Sequence, residues 1–446
     1  MTVSFELKEK PLIGFFPPFL SLADTGRLVM IAKRYRELGG EGIFFSHGGQ
    51  HEYLAKENGF SIIRVNPIQS EEEIENFWNL LKDPKLKRSL NQSILSKRWV
   101  EENVKNEIEA FKQTGIKMLV STYIPTCSIS ARVVEIPYVS IVNDMGYINI
   151  QAPDIFENFL TRGIPQHLKI RFVNWYFQRT KIFLKPFNKV AKKFQVPIFK
   201  RSYHALYGDF TFETNTLEFI NIFPNQQRFS TENYIGPILL DELFTKKSPK
   251  EEAKQIEYEI KSHLAGLDRS IFVNLGSVGH EELFLNVIRA LNKTNYNIVC
   301  LYTKPLDKKE LSKLNDKILI KKFVPSIENI HRMVDLSIIH GGQGTAYAAA
   351  YAGKPIIGIP AQVEQHRNIE KIVGHGSGLI LSKKYFSKEK LLTSINEVFS
   401  NYRKFLFNAQ NLANKLPPPE GDKNAAKRII EIQNLYKNQQ PAEKQF

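Results

Sequence analysis

The sequence predicts an α/β protein built from two doubly wound halves, each a parallel sheet covered by helices on both faces. Short apolar runs rich in β-branched or aromatic residues alternate with longer amphipathic stretches. This alternation stops near the middle of the chain and restarts at Ile271. The length of 446 residues suits two large domains, and a hydrophobic fraction of 42% is ordinary for a globular protein. Disorder, collagen and coiled coil are therefore excluded as the main description.

The first half contains five predicted strands, each a short apolar run between charges or turn residues. The stretches between them carry apolar residues at helical spacing, and the chain from Phe159 to Tyr207 is also predicted to be helical. The predicted strands are Pro11–Phe16, Gly42–Ser46, Ser61–Val65, Lys117–Ser121 and Pro137–Val142, and the predicted helices are Asp24–Leu38, Gln50–Asn58, Glu71–Gly115 and Thr126–Glu135.

The second half repeats this pattern after a charged segment, Lys246–Lys261, which is the predicted linker. The tail Lys388–Lys437 is predicted to be helical and is long enough to cross back to the first half. The expected division is a Rossmann-like domain at 1–240, a linker at 241–262, a second Rossmann-like domain at 263–400 and returning C-terminal helices at 401–446. The predicted strands are Ile271–Asn274, Asn297–Tyr302, Lys317–Lys321, Leu336–His340, Pro355–Pro360 and Gly378–Leu381.

The chain carries 61 Lys and Arg residues against 46 Asp and Glu residues, which gives a net charge of +15. Such an excess indicates an anionic partner without identifying it. Cys127 and Cys300 lie far apart and match no metal or redox spacing, which favours a reducing compartment. The N-terminus lacks the apolar core of a signal peptide, and no stretch approaches 18 consecutive apolar residues. We therefore expect a cytoplasmic protein.

Much of the positive charge lies in one segment of the first half. The segment 158–205 has eleven basic residues, no acidic residue and many interleaved aromatic residues. One interpretation is a basic amphipathic surface that binds peripherally to the anionic inner face of a membrane. The other is a solvated helix whose aromatic side chains belong to the domain core. Nucleic-acid binding is not expected, because no recognised nucleic-acid motif accompanies the charge.

The strongest functional signal is the motif HGGQGT at residues 340–345, which follows a predicted strand directly and precedes an alanine-rich helix. Glycines let the backbone approach a ligand closely, and the amides that open the helix form a site for an anion such as a diphosphate. The motif is neither the dinucleotide fingerprint nor a Walker loop. Read alone, it also fits a tight turn with a hydrogen-bonded histidine.

Three further loops follow strands of the second half, where ligands of open parallel sheets bind. Residues 360–368, PAQVEQHRN, place a carboxylate beside an amide, which together can hold several sugar hydroxyl groups. Residues 274–279, NLGSVG, leave room for a phosphate or a sugar ring. The ring of Phe323 could stack on a base. Each loop taken alone also fits an ordinary loop or a solvated first helical turn.

The four loops together, in this order and at these intervals, resemble the donor half of nucleotide-sugar glycosyltransferases of the flavonoid, sterol and macrolide type. The resemblance is dense from about Ile271 to Leu381, and His340–Asn368 carries most of its specificity. It implies the GT-B fold, in which two Rossmann-like doubly wound domains face each other across a cleft. It also implies a nucleotide-sugar donor, with UDP as the expected nucleotide, and makes the first domain the acceptor side.

The resemblance assigns roles to residues of the four loops. The diphosphate would bind to His340 and to the amides of Gly341, Gly342, Gly344 and Thr345. Glu364 and Gln365 would bind the sugar hydroxyls. Phe323 and Val324 would face the nucleobase. Gly276 and Ser277 would line the phosphate or acceptor side. A diphosphate held in this way needs no cation, and no Asp-x-Asp pair lies in a suitable loop, so we expect no metal and no cofactor.

The catalytic base departs from the family pattern. The family usually has a His in the loop after the first strand, oriented by a downstream Asp; here Asp24 and Thr122 stand at these positions. Asp24 is either the base itself, in a partly desolvated cleft, or the N-cap of the helix that follows. Asp144 is a second carboxylate near the same cleft, or a loop residue before glycine. Two further residues depart from the family pattern: Ser326, in the loop predicted to face the nucleobase, and Ala348, three residues after Thr345. They leave the identity of the nucleotide open.

Other histidines are not expected to be catalytic. His47 and His51 flank a Gly-Gly-Gln triplet that imitates the later motif, and a helix cap is the expected role. The predicted function is a metal-independent inverting glycosyltransferase that moves a hexose to a hydroxyl of a hydrophobic acceptor, such as a lipid, a sterol-like molecule or a polyisoprenoid. Two alternatives stay open: a nucleotide-sugar 2-epimerase of the same fold, and a nucleotide-sugar or glycolipid binding protein without activity.

Overall fold

The computed structural model contains two parallel six-stranded sheets with helices packed against them. It describes residues 12–68, 96–143, 164–179, 184–220, 230–245, 250–266, 269–276, 281–303 and 306–439. The strands of the first sheet are β1 Leu12–Phe16, β2 Glu41–Ser46, β3 Ile62–Arg64, β4 Leu119–Ser121, β5 Tyr138–Val142 and β6 Phe210–Glu213. Those of the second sheet are β7 Ser270–Asn274, β8 Asn297–Leu301, β9 Ile318–Lys321, β10 Leu336–Ile339, β11 Ile356–Gly358 and β12 Gly378–Ile380.

The strand order identifies both halves as doubly wound. It is β3-β2-β1-β4-β5-β6 in the first sheet and, read from the opposite edge, β9-β8-β7-β10-β11-β12 in the second. Each is the 3-2-1-4-5-6 order of a Rossmann-like domain. The predicted α/β class with two doubly wound halves is therefore confirmed.

The helices that the structure describes are distributed over both halves. Those of the first part of the chain are α1 Leu22–Glu37, α2 Glu52–Glu57, α3 Lys97–Thr114, α4 Cys127–Val134, α5 Gln166–Arg179, α6 Leu184–Lys193, α7 Leu217–Ile220, α8 Asp241–Thr245 and α9 Lys250–His263. Those of the second part are α10 Glu281–Leu291, α11 Lys308–Leu311, α12 Ile327–Met333, α13 Gln343–Ala352, α14 Val363–Gly374, α15 Lys388–Ser400, α16 Tyr402–Lys415 and α17 Gly421–Gln439.

The strand predictions agree with the structure to within two residues at each end, but β6 was not predicted. Its four residues, Phe-Thr-Phe-Glu, alternate as an edge strand does, yet they are too few to stand out beside the long helical pattern before them. The helix prediction from Glu71 to Gly115 is described only from Lys97 to Thr114. The first part of that prediction lies outside the described residues.

The C-terminal helix α17 packs on the first sheet's side of the molecule. Ala425, Ile429 and Ile430 belong to the same hydrophobic core as residues of α1 and β1. Around this core, the guanidinium of Arg34 donates to the carboxylate of Asp422 at 2.7 Å, and the Tyr35 hydroxyl donates to the side-chain oxygen of Gln433 at 3.0 Å. Burial of these apolar faces stabilises the return of the chain to the first half.

Two segments near the middle of the chain pack on the second half. Phe219 of α7 is fully buried in one core with Tyr347 and Ile369, and its ring stacks on Tyr347 with centroids 4.1 Å apart. Ile260 of α9 is buried beside Phe272 of β7. The predicted linker at 241–262 therefore contains a helix that is part of the second core. The division at residue 240 remains a prediction.

Candidate active site

The candidate site lies where the strand order of each sheet reverses. In an open parallel sheet, ligands bind beyond the carboxyl ends of the strands at this point. In the first sheet it falls between β1 and β4, where the Ser121 hydroxyl donates to the Phe16 carbonyl at 2.7 Å. In the second sheet it falls between β7 and β10, whose ends carry Asn274 and His340. The sequence-predicted site residues come from these loops and their neighbours.

The imidazole of His340 is held between two glycines at the end of β10. Its Nδ1 lies 3.2 Å from the Asn274 carbonyl, and because a carbonyl only accepts, Nδ1 carries the proton. A Cβ atom added to Gly276 would lie 2.9 Å from His340 Nε2, and one added to Gly342 would lie 2.5 Å from it. With Nδ1 donating to Asn274, Nε2 is a donor only in the imidazolium form, which is the form that suits an anion.

The loop after His340 is fixed by helix α14. Gly341 has φ +91°, and a Cβ there would lie 2.4 Å from the Gln365 carbonyl, so this position requires glycine. The side-chain nitrogen of the buried Asn368 donates to the Gly341 carbonyl at 3.0 Å and to the Glu364 carboxylate at 2.7 Å. Asn368 therefore links the proposed diphosphate loop to the proposed sugar-binding carboxylate, a role that the sequence did not suggest.

Helix α13 begins immediately after this loop with its N-terminus uncapped by a side chain. Gly342 is the N-cap residue and provides no side-chain hydrogen bond. The amides of the first turn have no partners inside the helix, and the helix dipole favours negative charge there. A Cβ added to Gly344 would meet no atom within 4 Å, so the first turn is open at this residue. This end of α13 fits an anion, and Thr345 lies buried behind it.

The charges around Glu364 come from both halves. Burial raises the pKa of Glu364, the charge of Arg27 lowers it, the Asn368 hydrogen bond lowers it and the charge of Asp24 raises it, with a net shift upward. Arg27 and Asp24 belong to α1 of the first half. The two predicted carboxylates, Asp24 and Glu364, are thus close enough across the cleft for the charge of Asp24 to raise the pKa of Glu364. Next to Glu364, the Gln365 side-chain oxygen accepts from the Ala361 amide at 2.9 Å, which fixes that carboxamide.

The two residues predicted to face the nucleobase have different surroundings. Val324 is buried in the core with Ile260 and Phe272, so only its backbone is left to contact a ligand. Phe323 is partly exposed, as a ring that stacks on a base must be. Ser326, which replaces the family's Gln, is the N-cap of α12 and accepts from the Asn329 amide at 3.3 Å. Its hydroxyl therefore has a structural role.

On the acceptor side, Asp24 is not the N-cap of α1. The helix begins earlier, at Leu22, and the Ser21 hydroxyl accepts from the Asp24 amide at 3.3 Å. Asp24 instead lies in the first turn and accepts from Arg27 at 2.8 Å, with side-chain exposures of 16% and 6%. The cap interpretation is therefore wrong for this residue, because a better placed serine fills that role.

Two strained residues shape the acceptor loops. Phe19, after β1, has φ +50° and is fully buried; Tyr123, after β4, has φ +53°. The His51 amide donates to the Phe19 carbonyl at 3.0 Å, and the Asn143 amide donates to the Tyr123 hydroxyl at 2.8 Å. Left-handed backbone at non-glycine residues clusters at functional sites. Burial raises the pKa of Tyr123, and the charge of Asp24 raises it further, which places Tyr123 near the candidate base.

His47 is not a helix cap. Its Nδ1 lies 2.9 Å from the Val65 carbonyl and its Nε2 lies 3.1 Å from the carboxylate of the fully buried Glu107. Thr126 and Ser130 donate to the same carboxylate. The N-cap position of α2 belongs to His51, which makes no capping side-chain bond. His47 therefore belongs to a buried polar network beneath the acceptor loops, and both of its ring nitrogens are engaged.

Two predicted site residues cannot be placed. Ser277 and Asp144 lie outside the described residues. Within the described ranges, no group of three or more His, Cys, Asp or Glu side chains is arranged to hold a metal ion.

The fold and this site define a class: a two-domain GT-B protein whose second domain carries an uncapped helix N-terminus after a glycine-rich loop, with a partly buried carboxylate nearby. Comparison with known proteins agrees with that class. Residues 270–429 match the glycosyltransferase family 28 C-terminal domain. The calicheamicin glycosyltransferase CalG4 superposes with a TM-score of 0.66 and 13% identity, over 97% of this chain and all of that one. The predicted resemblance to nucleotide-sugar glycosyltransferases and the GT-B fold are confirmed.

The chain also matches curated proteins in sequence. A PGL/p-HBAD biosynthesis glycosyltransferase of Mycobacterium tuberculosis is 23% identical over 301 residues, which cover 65% of this chain and 64% of that protein. A UDP-N-acetylglucosamine–N-acetylmuramyl-(pentapeptide) pyrophosphoryl-undecaprenol N-acetylglucosamine transferase of Bacillus cytotoxicus is 27% identical over 178 residues, 37% of this chain and 47% of that protein. This chain thus spans just under two thirds of the first relative's length.

Proposed function

We propose that this protein is a metal-independent inverting glycosyltransferase. It moves a hexose from a nucleotide diphosphate, with UDP as the expected nucleotide, to a hydroxyl of a hydrophobic acceptor. The observation that carries the proposal is the hydrogen bonding of Asn368, which joins the Gly341 loop to Glu364. A diphosphate on the helix α13 amides and a sugar on Glu364 would then occupy one continuous site. The name of the Bacillus relative, with a UDP-sugar and an undecaprenol acceptor, supports a lipid acceptor here.

In the proposed reaction the acceptor hydroxyl attacks the anomeric carbon as its proton passes to Asp24. The bond from that carbon to the diphosphate oxygen breaks, and the nucleotide diphosphate leaves with the electron pair. The first-turn amides of α13 and His340 stabilise the charge that develops on the leaving group. The Asp24–Arg27 ion pair fixes the carboxylate in place as the base. One base opposite one leaving group suits a single displacement with inversion.

A product analysis tests this function. Purified protein is incubated with UDP-hexoses and a polyisoprenoid or sterol-like acceptor in the presence of EDTA. We expect UDP release that depends on the acceptor, and a glycoside whose anomeric configuration is opposite to that of the donor. Retention of configuration would contradict the single displacement, and loss of turnover in EDTA that Mg²⁺ restores would contradict metal independence.

The second part of the proposal is peripheral contact with an anionic membrane through the segment 158–205. Helix α6 does not supply the apolar face, because its Phe187 and Val190 are buried in a core with α3. Helix α5 carries three large exposed apolar side chains at spacings of four and three residues, which places them on one helical face, and a fourth lies two residues before the helix. They are Ile164 at 42%, Leu168 at 46%, Phe172 at 61% and Trp175 at 50% exposure.

Basic residues accompany this α5 stripe. Arg171 is exposed on α5, and Lys185, Lys189 and Lys192 are exposed on α6, the next helix along the chain. An apolar stripe with Trp and Phe beside lysine and arginine suits the headgroup region of an anionic bilayer. Each Lys or Arg near such a surface contributes about 1 kcal/mol. No described helix is long and apolar enough to cross a membrane.

Vesicle flotation tests the membrane contact. We expect the protein to float with vesicles that contain phosphatidylserine at low salt and to be released at high salt, because the attraction is screened. The double substitution Phe172→Ala and Trp175→Ala should reduce flotation severalfold. Phe407→Ala is the matched control, since Phe407 is 63% exposed on α16 of the second half. No flotation at low salt, or equal loss in both variants, would contradict the proposal.

A further inference from the structure

Helix α13, which begins at the proposed diphosphate loop, is hydrogen-bonded to the end of the first sheet. The side-chain oxygen of Gln343 accepts from the Thr214 hydroxyl at 3.0 Å. Its side-chain nitrogen donates to the Thr214 carbonyl at 2.8 Å and to the Asn215 side-chain oxygen at 3.3 Å. All three residues are buried. Gln343 lies within the HGGQGT motif, yet its side chain serves a contact between the halves.

Tyr347, one turn further along α13, makes the second contact. Its hydroxyl donates to the Asn215 side-chain oxygen at 3.1 Å and accepts from the Thr216 amide at 2.9 Å. Both bonds are buried, and buried hydrogen bonds are costly to break when one partner stays behind.

The partners of these two side chains are anchored in the first sheet. Thr214 follows β6 directly, and its amide donates to the carbonyl of Val142, the last residue of β5, at 2.9 Å. The Thr214 hydroxyl oxygen lies 3.2 Å from the same carbonyl. The Ile235 amide donates to the Glu213 carbonyl at 3.0 Å and holds the other side of β6. The contact between Gln343, Tyr347 and the segment 214–216, here called the interdomain lock, therefore ties the start of α13 to β5 and β6.

We infer that Gln343 and Tyr347 are positioning residues that set the distance between the donor and the acceptor. The inference rests on the proposed function. The anomeric carbon is placed by α13 and α14, and the acceptor hydroxyl by the loops of the first sheet, so their separation depends on how the two halves are joined. A displacement of about 1 Å in such a pair can cost on the order of a hundredfold in rate.

The lock also decides which nucleophile reaches the donor. When the halves are held in register, the acceptor hydroxyl attacks the anomeric carbon. When they are not, water attacks the same carbon, the bond to the diphosphate oxygen breaks, and the products are free sugar, nucleotide diphosphate and one proton. The ratio of transfer to hydrolysis is therefore the property that the lock controls.

The test compares two tyrosines of the same helix. Tyr347→Phe removes the lock hydroxyl and leaves the ring stacked on Phe219. Tyr351→Phe is the matched control, because the Tyr351 hydroxyl donates to the Pro417 carbonyl at 2.6 Å, within the second half. Gln343→Ala removes the other arm of the lock. For each protein, UDP binding, melting temperature, UDP release and glycoside formation are measured.

We expect Tyr347→Phe and Gln343→Ala to bind UDP within about threefold of the wild type and to lose at least tenfold in the ratio of transfer to hydrolysis. Tyr351→Phe should keep the wild-type ratio of transfer to hydrolysis, even if its melting temperature falls as much as that of the lock variants. An unchanged ratio in both lock variants would overturn the inference. If the wild-type protein turns over no nucleotide sugar, the proposed function fails instead, and the two failures are distinct.

Discussion

Substitution of Asp24 by Asn is expected to reduce glycosyl transfer by about a hundredfold to ten thousandfold, which is the usual contribution of a general base. The side chain keeps its size, so the loop and helix α1 keep their shape. Asn accepts no proton at neutral pH, so the acceptor hydroxyl must attack without help. UDP binding should stay close to that of the wild type, because the diphosphate is assigned to the second half.

The loss must be separated from the broken ion pair with Arg27, which has 2.8 Å between its charged atoms. Asp24→Ala leaves a space beside Arg27 that formate can enter, and formate should restore part of the turnover while leaving UDP binding unchanged. A purely structural role predicts no such rescue. Unchanged turnover in Asp24→Asn would contradict the assignment of Asp24 as the catalytic base. The candidates would then be Tyr123 and the region around Asp144.

Substitution of Gly341 by Ala is expected to abolish UDP binding and to lower the melting temperature. Its φ of +91° is strained for alanine by about 1–2 kcal/mol, and the new methyl would lie 2.4 Å from the Gln365 carbonyl. The loop must then move away from α14, which displaces His340 and the amides before the helix.

Gly344→Ala is the matched variant in the same motif. A methyl at Gly344 would meet no protein atom within 4 Å, and alanine favours a helix, so the melting temperature should stay the same or rise slightly. The methyl would nevertheless stand in the open space assigned to the diphosphate, and UDP affinity should fall at least tenfold. Wild-type affinity in Gly344→Ala would mean that the diphosphate lies elsewhere.

The sequence predicted the parts of the fold that depend on local pattern. Short apolar runs followed by amphipathic stretches indicate two doubly wound halves, and they predict eleven of the twelve strands that the structure describes. They do not predict the strand β6, because four residues carry too little periodicity. Asp24 fits the sequence pattern of a helix cap, but helix ends are hard to place from sequence, and Ser21 fills that role three residues earlier.

Contacts between distant parts of the chain could not be predicted from the sequence. Gln343 and Thr214 are 129 residues apart, and nothing in either segment indicates the other. His47 and Glu107 form a buried pair for the same reason. The position of Val324 in its loop predicts a contact with the nucleobase, but its side chain is buried in the core. The loops of the site follow from motif and resemblance, whereas the bonds that join them require the fold.

We expect a nucleotide sugar to bind with its diphosphate at the 340–345 loop and its sugar at Glu364. Calorimetric titration of the metal-free protein with UDP, in EDTA, tests it most directly. We predict one site per chain, a rise in stability of about 2.7 kcal/mol at a UDP concentration of a hundred times Kd, and loss of both effects in Gly341→Ala. Absence of heat and of stabilisation with millimolar UDP and dTDP alike would contradict the account.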